Sequence, residues 1–165
     1  MIKGLHHNAY RCRDSEETRK FYEDFLGLRL AGTLEIKETM SGRPTNTLHT
    51  FYELGDGSYL AFFEAPDRPF EFKTQHDYDL HIAVEVEESV LEPMMARGRK
   101  LGIETRGISD HKFIHSIYFR DPNGYVIELT ARMPNHKEAM DPAKNGARAK
   151  LDRWQAAKRE VVERA

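Results

Sequence analysis

Apolar positions along this chain fall into two successive sets, and each set passes from strand-like alternation to helical spacing and back. In the first, Gly4–Cys12 reads as a strand. Asp14-Ser15-Glu16-Glu17 then supplies a helix start, its acidic residues suited to the positive end of the helix dipole. Phe21, Phe25 and Leu28 recur at helical spacing around the break at Gly27. Leu28–Ile36 is the next strand, followed by Leu48–Leu54 and Tyr59–Ala65, which the Gly55-Asp56-Gly57 turn joins.

The second set repeats this order. Leu80–Val86 is an apolar strand, and Glu87-Glu88-Ser89 opens a helix with Val90, Leu91, Met94 and Leu101 on one side. Ile103–Ile108 and Phe113–Arg120 are strands, Asp121-Pro122-Asn123-Gly124 is a turn, and Tyr125–Ala131 closes the set. Leu26-Gly27-Leu28 stands 20 residues after His7, counted to Gly27, and Leu101-Gly102-Ile103 stands 21 after His81, counted to Gly102. The Asp56-Gly57 turn matches Asn123-Gly124. The chain is therefore expected to hold two strand–helix–strand–strand–strand modules, residues 4–65 and 79–132, each with a histidine on its first strand.

Gln75–Asp79 reads as a polar linker between the modules, inside one domain over residues 1–133. From Pro134 the composition shifts to Lys, Arg, Ala and Glu, and residues 134–165 are expected to form a helical extension. Leu151, Trp154, Lys158 and Val161 share a face of that helix, which packs either on its own domain or on a second subunit.

Composition narrows the possible functions. A net charge of −2, with no block of like charge before residue 135, provides no footprint for nucleic acid or an anionic membrane. There is no signal-peptide pattern at the N-terminus and no apolar run of membrane-spanning length, so the expectation is a cytoplasmic protein. The single cysteine, Cys12, rules out an internal disulfide, suits a reducing compartment and is expected to pack in a strand.

Side chains alternate along a strand. Leu80, Ile82, Val84 and Val86 form one apolar face, so His81 points the other way, and Glu128 likewise opposes Ile127 and Leu129. His7 occupies in the first module the place His81 holds in the second. Two neutral imidazoles and one carboxylate form a facial triad of the kind that holds octahedral Fe(II) and leaves positions open. His7, His81 and Glu128 are the expected metal ligands. His6 and His115 are expected on the opposite faces, in structural or surface roles.

These residues resemble the vicinal oxygen chelate superfamily. The resemblance rests on Leu5-His6-His7-Asn8-Ala9 with Asp14, Lys20-Phe21-Tyr22-Glu23-Asp24-Phe25-Leu26-Gly27-Leu28, Leu80-His81-Ile82-Ala83, and Asp121-Pro122-Asn123-Gly124-Tyr125-Val126-Ile127-Glu128-Leu129. It implies an α+β fold of paired βαβββ modules forming a half-open mixed β-barrel around one metal, in a homodimer. Members include glyoxalases, epimerases, extradiol dioxygenases, fosfomycin-modifying transferases and metal-free drug-binding proteins. Aligning the turns sets Ala61 where Glu128 stands, at the place that usually supplies a fourth ligand in glyoxalases and epimerases. Glu64, three residues on, is expected to face the opposite way unless a bulge turns it.

The last strand pair also resembles the extradiol dioxygenase signature, read here as His111, Ile117-Tyr118, Asp121-Pro122-Asn123-Gly124 and Glu128, with Ser109 departing from the pattern. The resemblance implies that His111 and Tyr118 contact bound substrate or oxygen, in an Fe(II) enzyme that cleaves a catechol-like vicinal diol with dioxygen. No histidine matches the acid–base position usual upstream of the second ligand, where His49 or His76 could substitute. The runner-up is a lyase or isomerase of glyoxalase kind using Zn²⁺, Ni²⁺ or Mn²⁺. A drug-binding protein would instead bind through aromatic walls. Fosfomycin chemistry calls for a cluster of basic residues, of which the pocket strands offer little beyond Arg11 and Lys112. The loops Glu38–Asn46 and Arg68–Thr74 have no predicted place.

Overall fold

A computed structural model describes residues 1–72 and 76–162, apart from the side chains of residues 159–162. Gln75 of the expected linker, Lys73 and Thr74 of the second unplaced loop, and the side chain of Val161 lie outside the described residues. The chain forms two compact units, Met1–Ile82 with Phe119–Ile127, and Ala83–Tyr118 with Glu128–Ala165.

Two four-stranded sheets carry the repeat. The first comprises β1 (Tyr10–Arg11), β2 (Arg29–Glu38), β3 (Pro44–Glu53) and β4 (Tyr59–Glu64) in the order β1-β4-β3-β2. The second comprises β5 (His81–Glu85), β6 (Thr105–Asp110), β7 (Ile114–Arg120) and β8 (Val126–Arg132) in the order β5-β8-β7-β6. The two orders are the same when each module is numbered from its own first strand. The helices are α1 (Ser15–Arg19), which runs on as a π-helical segment over Lys20–Phe25, then α2 (Glu88–Lys100), α3 (His136–Ala139) and α4 (Ala147–Val162).

Local chemistry accounts for these boundaries. The Asp14 carboxylate accepts the Glu17 N–H at 2.8 Å and caps α1, as its acidic opening predicts. Gly27 and Gly102 end the two helical segments with φ of +83° and +69°, a left-handed turn that glycine makes without a Cβ clash. The amides after them, of Leu28 and Ile103, reach back to the carbonyls of Tyr22 at 2.9 Å and Gly98 at 3.0 Å. The Leu-Gly-Leu and Leu-Gly-Ile landmarks are therefore both left-handed glycine stops, the first closing a π-helical segment and the second an α-helix. Leu101 is the cap of α2 rather than part of its packed face, and it is 58% exposed.

β1 is shorter than the alternation predicts. The Asn8 side chain accepts the Ala61 amide at 3.2 Å, so a backbone partner is replaced there and only an isolated His7–Tyr59 bridge precedes Tyr10. In the first unit the core is aromatic. Tyr22 packs on Phe62 and Tyr52 with ring centroids 4.6 and 5.5 Å away, and Phe25 meets Phe119 edge-on at 5.0 Å. Truncating a buried ring of this kind to alanine costs about 3–5 kcal/mol. The Tyr22 hydroxyl donates to Asp121 at 2.9 Å, which anchors the Asp121–Gly124 turn in the same unit. In the second unit Leu91, Ile117, Leu129 and Ala131 are buried.

Candidate functional site

Period-two alternation on β7 and β8 sets Ser116, Tyr118, Glu128 and Thr130 on one face of the second sheet, opposite the apolar Ile117, Leu129 and Ala131. All four belong to the second unit. Glu128 is only 5% exposed, and its carboxylate accepts the Thr130 hydroxyl at 2.9 Å. The Thr130 proton is thereby used, so the Ser116 hydroxyl at 3.1 Å is the donor to Thr130. The Tyr118 hydroxyl is hydrogen-bonded to Glu128 and stands 2.8 Å from His111 Nε2. A phenol has one proton to give. When Tyr118 donates it to the carboxylate, His111 Nε2–H donates to the phenol oxygen, and the three groups form one directed chain. Burial, and then the charge of Glu128, raises the Tyr118 pKa above its usual value. The phenol therefore stays protonated at neutral pH and acts as a donor. The Arg106 guanidinium lies over the Tyr118 ring, 5.6 Å from its centroid.

The first sheet carries different side chains at the matching positions. Counting from Gly57 and from Gly124, Phe51 corresponds to Tyr118, Ala61 to Glu128, His49 to Ser116 and Phe63 to Thr130. His49 is buried, stacks on Phe63 at 3.7 Å and 13°, and donates from Nδ1 to the Phe62 carbonyl at 3.0 Å. Burial lowers its pKa, so it is held neutral. His7 packs edge-on to Phe51 at 5.6 Å and lies 6.0 Å from the His49 ring.

The remaining expected residues have definite places. His6, expected on the opposite face from His7, is hydrogen-bonded to it, Nδ1 to Nδ1 at 2.8 Å, because the backbone there is not a regular strand and alternation fails. His81 donates from Nδ1 to the Asp77 carbonyl at 3.1 Å. That bond selects the tautomer with its lone pair on Nε2, the way metal-binding imidazoles are commonly oriented. Glu64 points to the helix side and accepts the Ser15 amide at the start of α1 at 2.8 Å, which agrees with the odd step along β4. His76 accepts the Tyr78 amide at 3.2 Å. His115 lies 3.2 Å from Glu88 and 3.7 Å from Asp110, a surface role as expected. Cys12 is buried and burial pushes its thiol up to about 11, which fits packing rather than reactivity.

The donor types suit a divalent metal, and both His81 and Glu128 are oriented by a hydrogen bond. Within each unit, however, the described residues gather no group of three or more His, Cys, Asp or Glu side chains able to hold a metal ion. His7 and His81 belong to the first unit and Glu128 to the second, so neither unit alone carries the expected triad.

Among the described residues no helix is long and apolar enough to cross a membrane. The metallothiol transferase FosB of Staphylococcus saprophyticus is 30% identical over 134 residues, which is 78% of this chain and 77% of the relative. An iron-dependent extradiol dioxygenase of Rhodococcus jostii is 26% identical over 136 residues, 77% of this chain but 42% of that protein. In structure, the fosfomycin resistance protein FosX of Listeria monocytogenes, solved with Mn(II) and sulfate, aligns with a TM-score of 0.62 at 22% identity, over 84% of this chain and 99% of that one. The family model described as Glyoxalase/Bleomycin resistance protein/Dioxygenase superfamily matches residues 4–129, and the chain belongs to that superfamily.

Proposed function

We propose that this chain is a divalent-metal enzyme of extradiol type, opening a catechol-like vicinal diol with dioxygen, with His7, His81 and Glu128 as ligands and Fe(II) as the preferred metal. The observation that supports it most is the Tyr118 hydroxyl held between His111 and Glu128, the pair of groups that the dioxygenase-like signature singles out. A metal bound by that triad would supply Lewis acidity to two adjacent oxygens of a small-molecule substrate. The protein's own part is proton handling and orientation. Tyr118, kept protonated, turns its O–H from Glu128 to an oxygen that gains charge, and His111 resupplies the proton through its hydrogen bond. Thr130 and Ser116 fix the carboxylate's direction, so Glu128 spends little freedom on binding.

In this reading the working species is a cytoplasmic homodimer, and the 50% and 68% exposure of Leu151 and Trp154 on α4 supports a contact there. Sedimentation should return twice the chain mass, with Trp154→Glu shifting it toward one.

The transferase relative favours a second reading, thiol transfer to fosfomycin by a Mn(II) form. Product analysis separates the two. Anaerobic Fe(II) loading followed by air and a catechol panel should yield a yellow ring-opened product that His81→Ala abolishes. A thiol–fosfomycin adduct formed without oxygen, and no ring-opened product, would replace the first reading with the second.

A further inference from the structure

The first unit carries a cavity of about 670 Å³ on the same sheet face as His49 and Phe63. Register defines that face. Arg11 pairs with Phe63, Phe63 with His49, and His49 with Leu34, so the four side chains form one row across β1, β4, β3 and β2. Leu34, Ile36, Met40 and Phe63 give the cavity an apolar floor, and two of them are open to solvent, Leu34 at 54% and Met40 at 106%. Apolar side chains gathered in a concave, exposed place are a common mark of a ligand site.

Three guanidinium groups border this floor, those of Arg11, Arg43 and Arg68, against a single carboxylate, Glu38. They reach it from three separate segments, β1, the β2–β3 hairpin and the loop after β4. None of the three pairs with a carboxylate among the described residues, whereas Arg13, Arg19, Arg29, Arg120 and Arg132 each do. Among the described residues the Arg11 guanidinium donates only to backbone carbonyls, of Ala65 at 3.5 Å and Arg68 at 3.2 Å, and its buried Nε has no partner. Guanidinium groups left without carboxylates beside an apolar floor are complementary to an organic anion that has a hydrocarbon body.

We propose that this cavity binds the carboxylate of an apolar organic anion of aryl-alkanoate kind, its charge at Arg11, Arg43 and Arg68 and its hydrocarbon over Leu34, Ile36 and Phe63. Only the step of taking that anion for the substrate rests on the function proposed above. The His7–Tyr59 bridge and the Arg11–Phe63 pair lie four residues apart along β4. That separation is about 13 Å at strand spacing, so a molecule of that length would span from the arginines to His7. A three-carbon phosphonate would leave most of the apolar floor uncovered.

The test is calorimetric titration of the metal-free full chain with 4-phenylbutanoate, 4-phenylbutanamide, inorganic phosphate and fosfomycin. The carboxylate should bind at least about tenfold more tightly than its neutral amide, since hydrogen bonds to a charged group are the stronger kind. Binding should weaken as salt rises, and Arg43→Gln and Arg68→Gln should each cost about tenfold. Neither guanidinium holds a carboxylate in the described fold, so both variants should keep their melting temperature. Amide shifts caused by 4-phenylbutanoate should centre on Leu34, Thr47 and Phe63. Equal binding of acid and amide, affinity indifferent to both substitutions, or no measurable uptake of the acid would overturn the site. Phosphate or fosfomycin binding as tightly as the acid would overturn its apolar part. Binding as expected, with no ring-opened product from any catechol, would leave the site standing and remove the dioxygenase reading alone.

Discussion

The two sheets share one strand order, and each module has a glycine helix stop, yet their corresponding faces carry side chains of opposite character. In the first, Phe51, Ala61 and Phe63 form an aromatic and aliphatic wall, and the imidazole on β3, His49, is stacked and held neutral. In the second, Tyr118, Glu128 and Thr130 stand at those positions, bound into a hydrogen-bonded chain with His111 and Ser116. A repeat that keeps its backbone can therefore divide its labour. One copy presents an aromatic and aliphatic wall, and the other a hydrogen-bonded chain of polar groups. Within that chain Glu128 and Ser116 are buried, and a buried polar group is tolerable only if it is satisfied, which the Thr130 hydroxyl does for both.

The largest effect should come from crossing that difference. Under the proposed chemistry, Tyr118→Phe should lower kcat by about 10²-fold or more with little change in KM. The reciprocal change, Phe51→Tyr, should leave kcat within a few-fold. Equal losses in steady-state kinetics would mean that both positions merely pack.

The turns differ in the same manner, and stability should register it next. Asp121 is 4% exposed and accepts from Tyr22, Asn123 and Tyr125. Burial raises its pKa in spite of these bonds. Asp56 is exposed, and among the described residues its carboxylate accepts side-chain and backbone bonds from Ser58. Urea unfolding of Asp121→Ala should show a loss of about 2–4 kcal/mol, while Asp56→Ala should leave the midpoint nearly unchanged. Similar midpoints would contradict the anchoring role given to Asp121.

A smaller contrast lies in acid sensitivity. The folded pKa of His49 is depressed below 6.5, so the unfolded chain binds its proton first. Its contribution to stability is complete above pH 6.5 and is lost as the pH falls from there toward the depressed value. His49→Phe should flatten the fall in melting temperature over that interval. Ser116→Ala, at the matching place in the second module, should leave the slope as it is. The smallest signal should come from Cys12, which at about 11 should not react with a thiol reagent at neutral pH until the chain unfolds.

Much of the fold was legible because its signals are local. Alternation located β2 through β8 to within a few residues, and Gly27 and Gly102 marked both helix stops. What failed was also local, but depended on side chains that take over backbone roles. Asn8 replaces a ladder bond, so Gly4–Cys12 is not one strand, and His6 meets His7 instead of opposing it. The π-helical turn over Lys20–Phe25 has no periodic signature, because one extra residue per turn is too slight a change in spacing over so short a stretch. The His111–Tyr118 contact could be read because a hairpin brings residues seven apart together. The arginine cluster could not: its members come from a strand, a hairpin and a loop, and no spacing along the chain links Arg11 with Arg43 and Arg68.

The central claim is that the Glu128–Tyr118–His111 face carries oxygen-dependent chemistry. It is tested most directly by following oxygen uptake and ring-opened product together in the Fe(II)-loaded chain, with Glu128→Ala alongside. One dioxygen consumed per ring opened, with both signals lost in the variant, is the predicted result. Product formed without oxygen, or uptake that Glu128→Ala leaves intact, would contradict it.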